Sequence, residues 1–222
     1  MERNGVGMIS LHYSARDYLD ISLSTTSSEG DWNRAIDILK DRFNERFFST
    51  IHYLSTDFSR QGKTVDIIEK NGFAIMALNC LLIDTFYQFE YGLESSEELN
   101  PITNDRGVGR PYKDFLRRNF PELFSQQPPV GNKDLADLFY TDIRCGILHS
   151  AQTKGYSMLA CEGGNVTKYI NQCNDVGIRV DVKQFSERLE DYFFKHYLAR
   201  LKHGDVATRE AFINKMRYVC NG

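Results

Sequence analysis

In the stretch FYTDIRCGILHSAQTKGY, residues 139–156, Arg144 and His149 stand five positions apart in an otherwise apolar run. A histidine exchanges protons near neutral pH, and an arginine holds phosphoryl oxygens through a permanently charged planar fork. With no metal-ligand spacing nearby, the pair suits phosphodiester transfer in RNA. There the substrate's own 2′-hydroxyl is the nucleophile, and the protein supplies proton transfer and stabilises the charge on the phosphorane. DNA lacks that hydroxyl and does not react this way. On an α-helix, five residues rise about 7.5 Å and rotate about 140°, so the two side chains do not stack as an i,i+4 pair does. A compact site using both needs a curved or ending helix, or a second copy of the motif from another subunit. Gly146 marks such an irregularity or a close approach by another backbone. The structural alternative pairs Arg144 with a carboxylate such as Asp142, Asp137 or Glu90 and gives His149 a core hydrogen bond.

The elements that must position this pair come from a chain of 222 residues, 41% hydrophobic and 26% charged, which is the composition of a globular domain. A net charge of −3 argues against binding a polyanion over the whole surface, so such a partner must be held by a local patch. The five cysteines are Cys80, Cys145, Cys161, Cys173 and Cys220. They are scattered without CxxC spacing and read as reduced thiols of the cytoplasm, neither a disulfide framework nor a zinc site. Met1 leads into Glu2, Arg3 and Asn4 without an apolar signal core. The run FAIMALNCLLI at 73–83 is too short to span a bilayer, so no membrane partner is expected, and no cofactor is implied.

Residues 1–30 are expected to be a peripheral N-terminal segment, with alternation over 7–23 predicting a strand. Residues 31–222 are expected to form a single helical domain. From Asp31, the expected N-cap, apolar residues recur every three or four positions from Trp32 through Ile36, Leu39, Phe43, Phe47, Ile51 and Leu54 to Phe58. A second helix over 65–91 is apolar nearly all round between Phe73 and Phe89 and is predicted to be central. A polar loop follows, Pro111 opens a short helix, and a helix over 133–150 carries the Arg/His pair towards its end. Ile178, Val180 and Val182 alternate with Arg179 and Asp181 and predict a small β-hairpin. Two closing helices are predicted, one ended by Gly204 and one over 206–219.

RCGILH, Arg144 to His149, resembles the R-x4-6-H motif of HEPN domains, which are all-α proteins of toxin, CRISPR and antiviral systems. The resemblance extends to the order of elements over about residues 31–220. These are two long helices, a short basic helix, the motif helix, a small hairpin and the terminal helix AFINKMRYVC. It implies a mainly α fold, an antiparallel helical bundle with a small β-hairpin after the motif helix. It further implies a metal-independent endoribonuclease that cleaves single-stranded RNA to a 2′,3′-cyclic phosphate. In active members the Arg and His of two protomers meet at a homodimer interface, and an antitoxin or regulatory partner protein is implied alongside. Carried over, Arg144 binds and stabilises the scissile phosphate, and His149 transfers protons or orients it. The position after the motif's Arg is often Asn, Asp or His in nuclease members and is Cys145 here. That departure keeps a second reading open, a non-catalytic module that docks a partner protein or binds nucleotide or RNA.

Supporting candidates are Asp142 beside the motif, and Glu90 and Asp84 on the central helix, which are expected to orient Arg144 from behind. Arg106, Arg110, Lys113, Arg117 and Arg118 set five bases against one acid, Asp114. Arg110, Lys113 and Arg117 share a helical face suited to an RNA backbone, with Tyr112 and Phe115 nearby, and Lys154, with Tyr156, follows the motif as a further contact. A solvated helix face is the plainer account of these bases.

Overall fold

Three residues ahead of Asp31, Ser28 starts the first long helix: its hydroxyl accepts from the Asp31 amide (3.2 Å) and donates to the Asp31 carboxylate (2.7 Å). Asp31 is therefore the third helical residue, not the cap. The computed structural model describes residues 7–56, 58–60, 63–65, 67–100, 104, 106–128, 131, 133–161, 163–172 and 175–221, and Cys173 lies outside them. The chain is mainly helical with a small three-stranded sheet.

Where a peripheral strand is expected over 7–23, the backbone makes a single bridge, Met8 to Ser14. It then turns into helix α1 (Ala15–Leu19), because Ser14 and Asp17 form a reciprocal capping box. Ile9, Tyr18 and Leu23 of this segment are buried. Helix α2 runs over Glu29–Phe43, continues as a π-helix over Asn44–Phe48 and ends over Ser49–Ser55. Strands β1 (Phe58–Arg60) and β2 (Lys63–Val65) pair antiparallel and precede α3 (Ile67–Tyr91). Helix α4 (Gly109–Asn119) begins two residues before Pro111, and α5 (Pro121–Phe124) is a single turn. The motif helix α6 has three parts: Leu135–Leu138, a π-helix over Phe139–Arg144, and Cys145–Ser150. Helix α7 repeats that pattern over Val182–Asp191, a π-helix at Tyr192–Tyr197, and Leu198–Lys202, and α8 (Val206–Asn221) closes the chain.

The expected hairpin is present as β4 (Thr167–Gln172) antiparallel to β5 (Asp175–Asp181), and β3 (Met158–Ala160) adds a parallel third strand on the other edge of β5. The alternation read for β5 does not separate inside from outside. Arg179 and Asp181 are buried with Ile178 and Val180. They are accommodated because Arg179 donates to the Asn165 and Gly163 carbonyls, while Asp181 accepts from the Gly163 and Gln184 amides.

Backbone contacts divide the chain into two compact units. The first comprises Met1–Thr50, Thr85–Arg106 and Asp191–Gly222. Its core is aromatic: Phe43 stacks on Phe193 at 4.6 Å and on Phe86 at 5.6 Å, and Phe212 packs against Trp32 and Phe89. The second comprises Ile51–Asp84 and Gly107–Glu190 and contains the motif helix. Here Phe139 packs on Phe124 and Phe185, and Ile75, Met76, Leu82 and Ile83 of α3 are buried. The helix from Asn71 to Tyr91 extends well past the run read in the sequence and is long and apolar enough, by length and composition, to cross a membrane. More than half of it is buried inside the protein, as in a core helix.

Candidate functional site

Arg144 closes the π-helical turn of α6, and six residues later, at Ser150, the helix itself closes. A π turn widens the backbone by one residue and recurs at functional sites in helices. At the far end, Ala151 takes a left-handed conformation (φ 53°) that ends α6, with its amide donating to the Ile147 carbonyl at 3.0 Å. The chain then folds back over the helix. The Lys154 amide donates to the Asp142 carbonyl (3.0 Å), and the Ser157 hydroxyl donates to the Asp142 carboxylate (2.7 Å). Gly146 lies under this return: a β-carbon there would collide with the Gln152 carbonyl and press on Lys154. The glycine therefore answers to a close backbone approach, one of the two roles expected of it.

The Arg144 side chain is only 14% exposed. Its guanidinium donates to Asp84 of α3 at 3.3 Å and lies over the Tyr140 ring, 5.6 Å from its centroid. Burial pulls the Arg144 pKa down, and the Asp84 carboxylate more than offsets it, so the group stays charged. Its Nε–H is buried without a hydrogen-bond acceptor among the described residues. Behind Asp84, one turn earlier on α3, Cys80 is fully buried beside Tyr112 of α4, and burial pushes its thiol up to about 12. Tyr112 also packs against Tyr140, at 5.5 Å between ring centroids. Arg144 thus sits in a small pocket of one carboxylate, two phenols and two thiols, with Cys145 adjacent in sequence.

His149 is exposed, in the last turn of α6, and no side chain among the described residues pairs with it. The two motif residues are therefore not joined within one chain. Arg144 faces α3 while His149 faces outward, as the 140° argument requires. The reading in which His149 makes a core hydrogen bond does not hold.

Both supporting acids are engaged elsewhere. Glu90 accepts from Arg200 at 2.9 Å and from the Tyr192 hydroxyl, all within the other unit. Asp142 is held by Ser157 and Thr141 and fastens the turn after the motif, which makes it a clamp of the loop and no partner of Arg144. The acid that meets Arg144 is Asp84.

The basic face of α4 is corrected in a similar way. Arg117 grips Asp134, the N-cap of α6, with two bonds of 2.6 and 3.0 Å and reaches Asp114 at 2.8 Å. Lys113 bonds Asp137 at 2.7 Å. The bond to Asp134 raises the Arg117 pKa. Burial alone pushes Asp134 up, yet Arg117 holds it below the usual carboxylate range. These cations staple α4 to the start of α6, because the acids absent from α4 come from the neighbouring helix. Arg110 is exposed and lies 3.8 Å from Asp114. Arg106 and Lys154 are exposed.

Tyr140 is a neighbour that the sequence reading does not name, although it stands four residues before Arg144 on the same helix. Tyr112 is named there only as a neighbour of the basic face of α4, with Phe115, and nothing in the sequence links it to Arg144. Among the described residues, no group of three or more His, Cys, Asp or Glu is placed to hold a metal ion. No protein-family model, curated protein or solved structure matches the chain.

Proposed function

We propose that the protein is a HEPN-type, metal-independent endoribonuclease cutting single-stranded RNA in the cytoplasm as a toxin or antiviral effector. The observation that carries this reading is the setting of Arg144, charged and anchored by Asp84 in a π-helical turn, with one buried N–H left unpaired. Such a guanidinium is oriented in advance and keeps its charge for a phosphoryl oxygen. In the reaction the substrate's 2′-oxygen bonds to phosphorus and the bond from phosphorus to the 5′-oxygen breaks, giving a 2′,3′-cyclic phosphate. Arg144 stabilises the charge on the phosphorane. His149, on the exposed end of the same helix, takes the 2′-hydroxyl proton or delivers one to the departing 5′-oxygen. Because the two residues diverge within one chain, the working site is composed from two protomers of a homodimer, and a partner protein restrains it.

One observation favours a second reading. The same Asp84 contact that orients Arg144 also keeps it largely covered, and Cys145 follows it, which suits a non-catalytic module that docks a protein partner.

An RNA oligonucleotide with a single 2′-deoxy substitution at the cut position separates the two. The nuclease yields cyclic-phosphate ends from the all-ribose strand and leaves the substituted position intact. Cutting at the deoxy position rejects the mechanism, and a protein that cuts no RNA yet elutes as a stable complex with a co-expressed protein supports the docking module.

A further inference from the structure

In the unit that lacks the motif, Arg42 and Arg46 lie one turn apart on α2, and both guanidiniums point at one acceptor, the carbonyl of Ile9, at 2.5 and 3.5 Å. Behind them, on α8, Lys215 is 4% exposed and donates to the Gln88 side chain (2.6 Å) and the Glu94 carbonyl (2.7 Å). Among the described residues, no carboxylate forms an ion pair with any of the three. Glu45, Glu94 and Glu98 act on them only from beyond ion-pairing range. Arg42 and Arg46 thus share one neutral oxygen, while Lys215 ends on two others and lies over the Tyr218 ring.

Among the described residues, the arrangement stands apart from the other half-buried cations. Arg117, Arg144 and Arg200, similarly half-buried, each meet a carboxylate. Arg179 and Arg209 also end on carbonyls, but neither shares its acceptor with a second cation. The cost registers in the cations themselves. Burial, then repulsion from Arg46, lowers Arg42 to about 10, and burial, then repulsion from Arg42, lowers Lys215 to about 8. A bound anion offsets the repulsion between the cations. An oxyanion also outcompetes a neutral carbonyl, because a charge-assisted bond is roughly twice as strong. Two guanidinium forks with a third positive charge behind them match the several oxygens and double charge of a phosphate group better than the single charge of a carboxylate.

We propose that Arg42 and Arg46, backed by Lys215, form a binding site for the phosphate group of a small molecule, in competition with the Ile9 carbonyl. Arg46 is exposed and gives access from solvent, while Arg42 is half-buried and fixes the position. Occupancy draws the guanidiniums off Ile9, so the ligand also loosens the N-terminal segment.

The test is thermal unfolding of the full chain in inorganic phosphate against sodium chloride of equal ionic strength, with adenosine monophosphate as a second probe. Phosphate is expected to raise the wild-type midpoint by about 3 °C at tenfold saturation. Arg42→Gln and Arg46→Gln are each expected to lose most of that shift, and Arg144→Ala to keep it, which separates this site from the motif. Arg46 is exposed, so its variant serves if Arg42→Gln folds poorly. A larger response to adenosine monophosphate than to phosphate identifies a phosphomonoester ligand, and an equal one identifies free phosphate; both support the site. Equal shifts in phosphate and chloride, or full shifts in Arg42→Gln and Arg46→Gln, overturn it.

Discussion

Arg144 and Asp84, 60 residues apart in sequence, meet at 3.3 Å with side chains only 14% and 15% exposed, so the motif arginine is fixed from α3 as well as from its own helix. Removing the acid strands a largely buried cation. Asp84→Asn is expected to destabilise the protein by about 2 kcal/mol in urea titrations. If Arg144 acts on a phosphate, the same change lowers RNA cleavage without abolishing it, because the guanidinium loses its orientation and keeps its charge.

The clasp between α4 and α6 is expected to be worth more than its surface neighbour. A double-mutant cycle on Arg117 and Asp134, joined by two short bonds, is predicted to give a coupling of about 1 kcal/mol. Arg110 and Asp114, 3.8 Å apart with the arginine 75% exposed, are predicted to couple by less than about 0.5 kcal/mol.

The turn after the motif is a site of backbone constraint. Ala151 holds a left-handed conformation at a helix end, so Ala151→Gly is expected to stabilise by about 1 kcal/mol. Gly146→Ala meets the Gln152 carbonyl and is expected to destabilise by about 2 kcal/mol. Urea midpoints at constant slope measure both.

Much of this architecture was legible from periodicity. The long helices, the hairpin and the divergence of Arg144 from His149 follow from apolar spacing and helix geometry, which are local properties. The local signals that misled were competing caps, such as Ser28 ahead of Asp31 and the Ser14/Asp17 box that turns a strand pattern into a helix. The site's partners were harder to read. Nothing in one sequence ranks Asp84 over Glu90 as the acid for Arg144, because that choice depends on how α3 and α6 cross. The apparent excess of base on α4 misled in the same way, since Asp134 and Asp137 lie beyond the next loop.

Lys215 gives a pH signature. Its pKa is lowered to about 8 in the folded protein against about 10.4 in an unfolded chain, so between those values the unfolded state binds more protons and stability rises with pH. The cost of burying the ammonium is fully present below pH 8. Wild type is therefore expected to gain stability relative to Lys215→Met as pH rises from 7.5 to 10, read from unfolding midpoints of the two proteins at each pH. A constant difference across that range contradicts the assignment.

The most direct test of the ribonuclease reading is cleavage of single-stranded RNA in EDTA by wild type, Arg144→Ala and His149→Ala. Circular dichroism confirms that each variant is folded. Wild type is expected to cut with cyclic-phosphate products, and each variant to lose at least about 100-fold, as removal of a proton-transfer or charge-stabilising group entails. Cleavage that persists in both folded variants contradicts it.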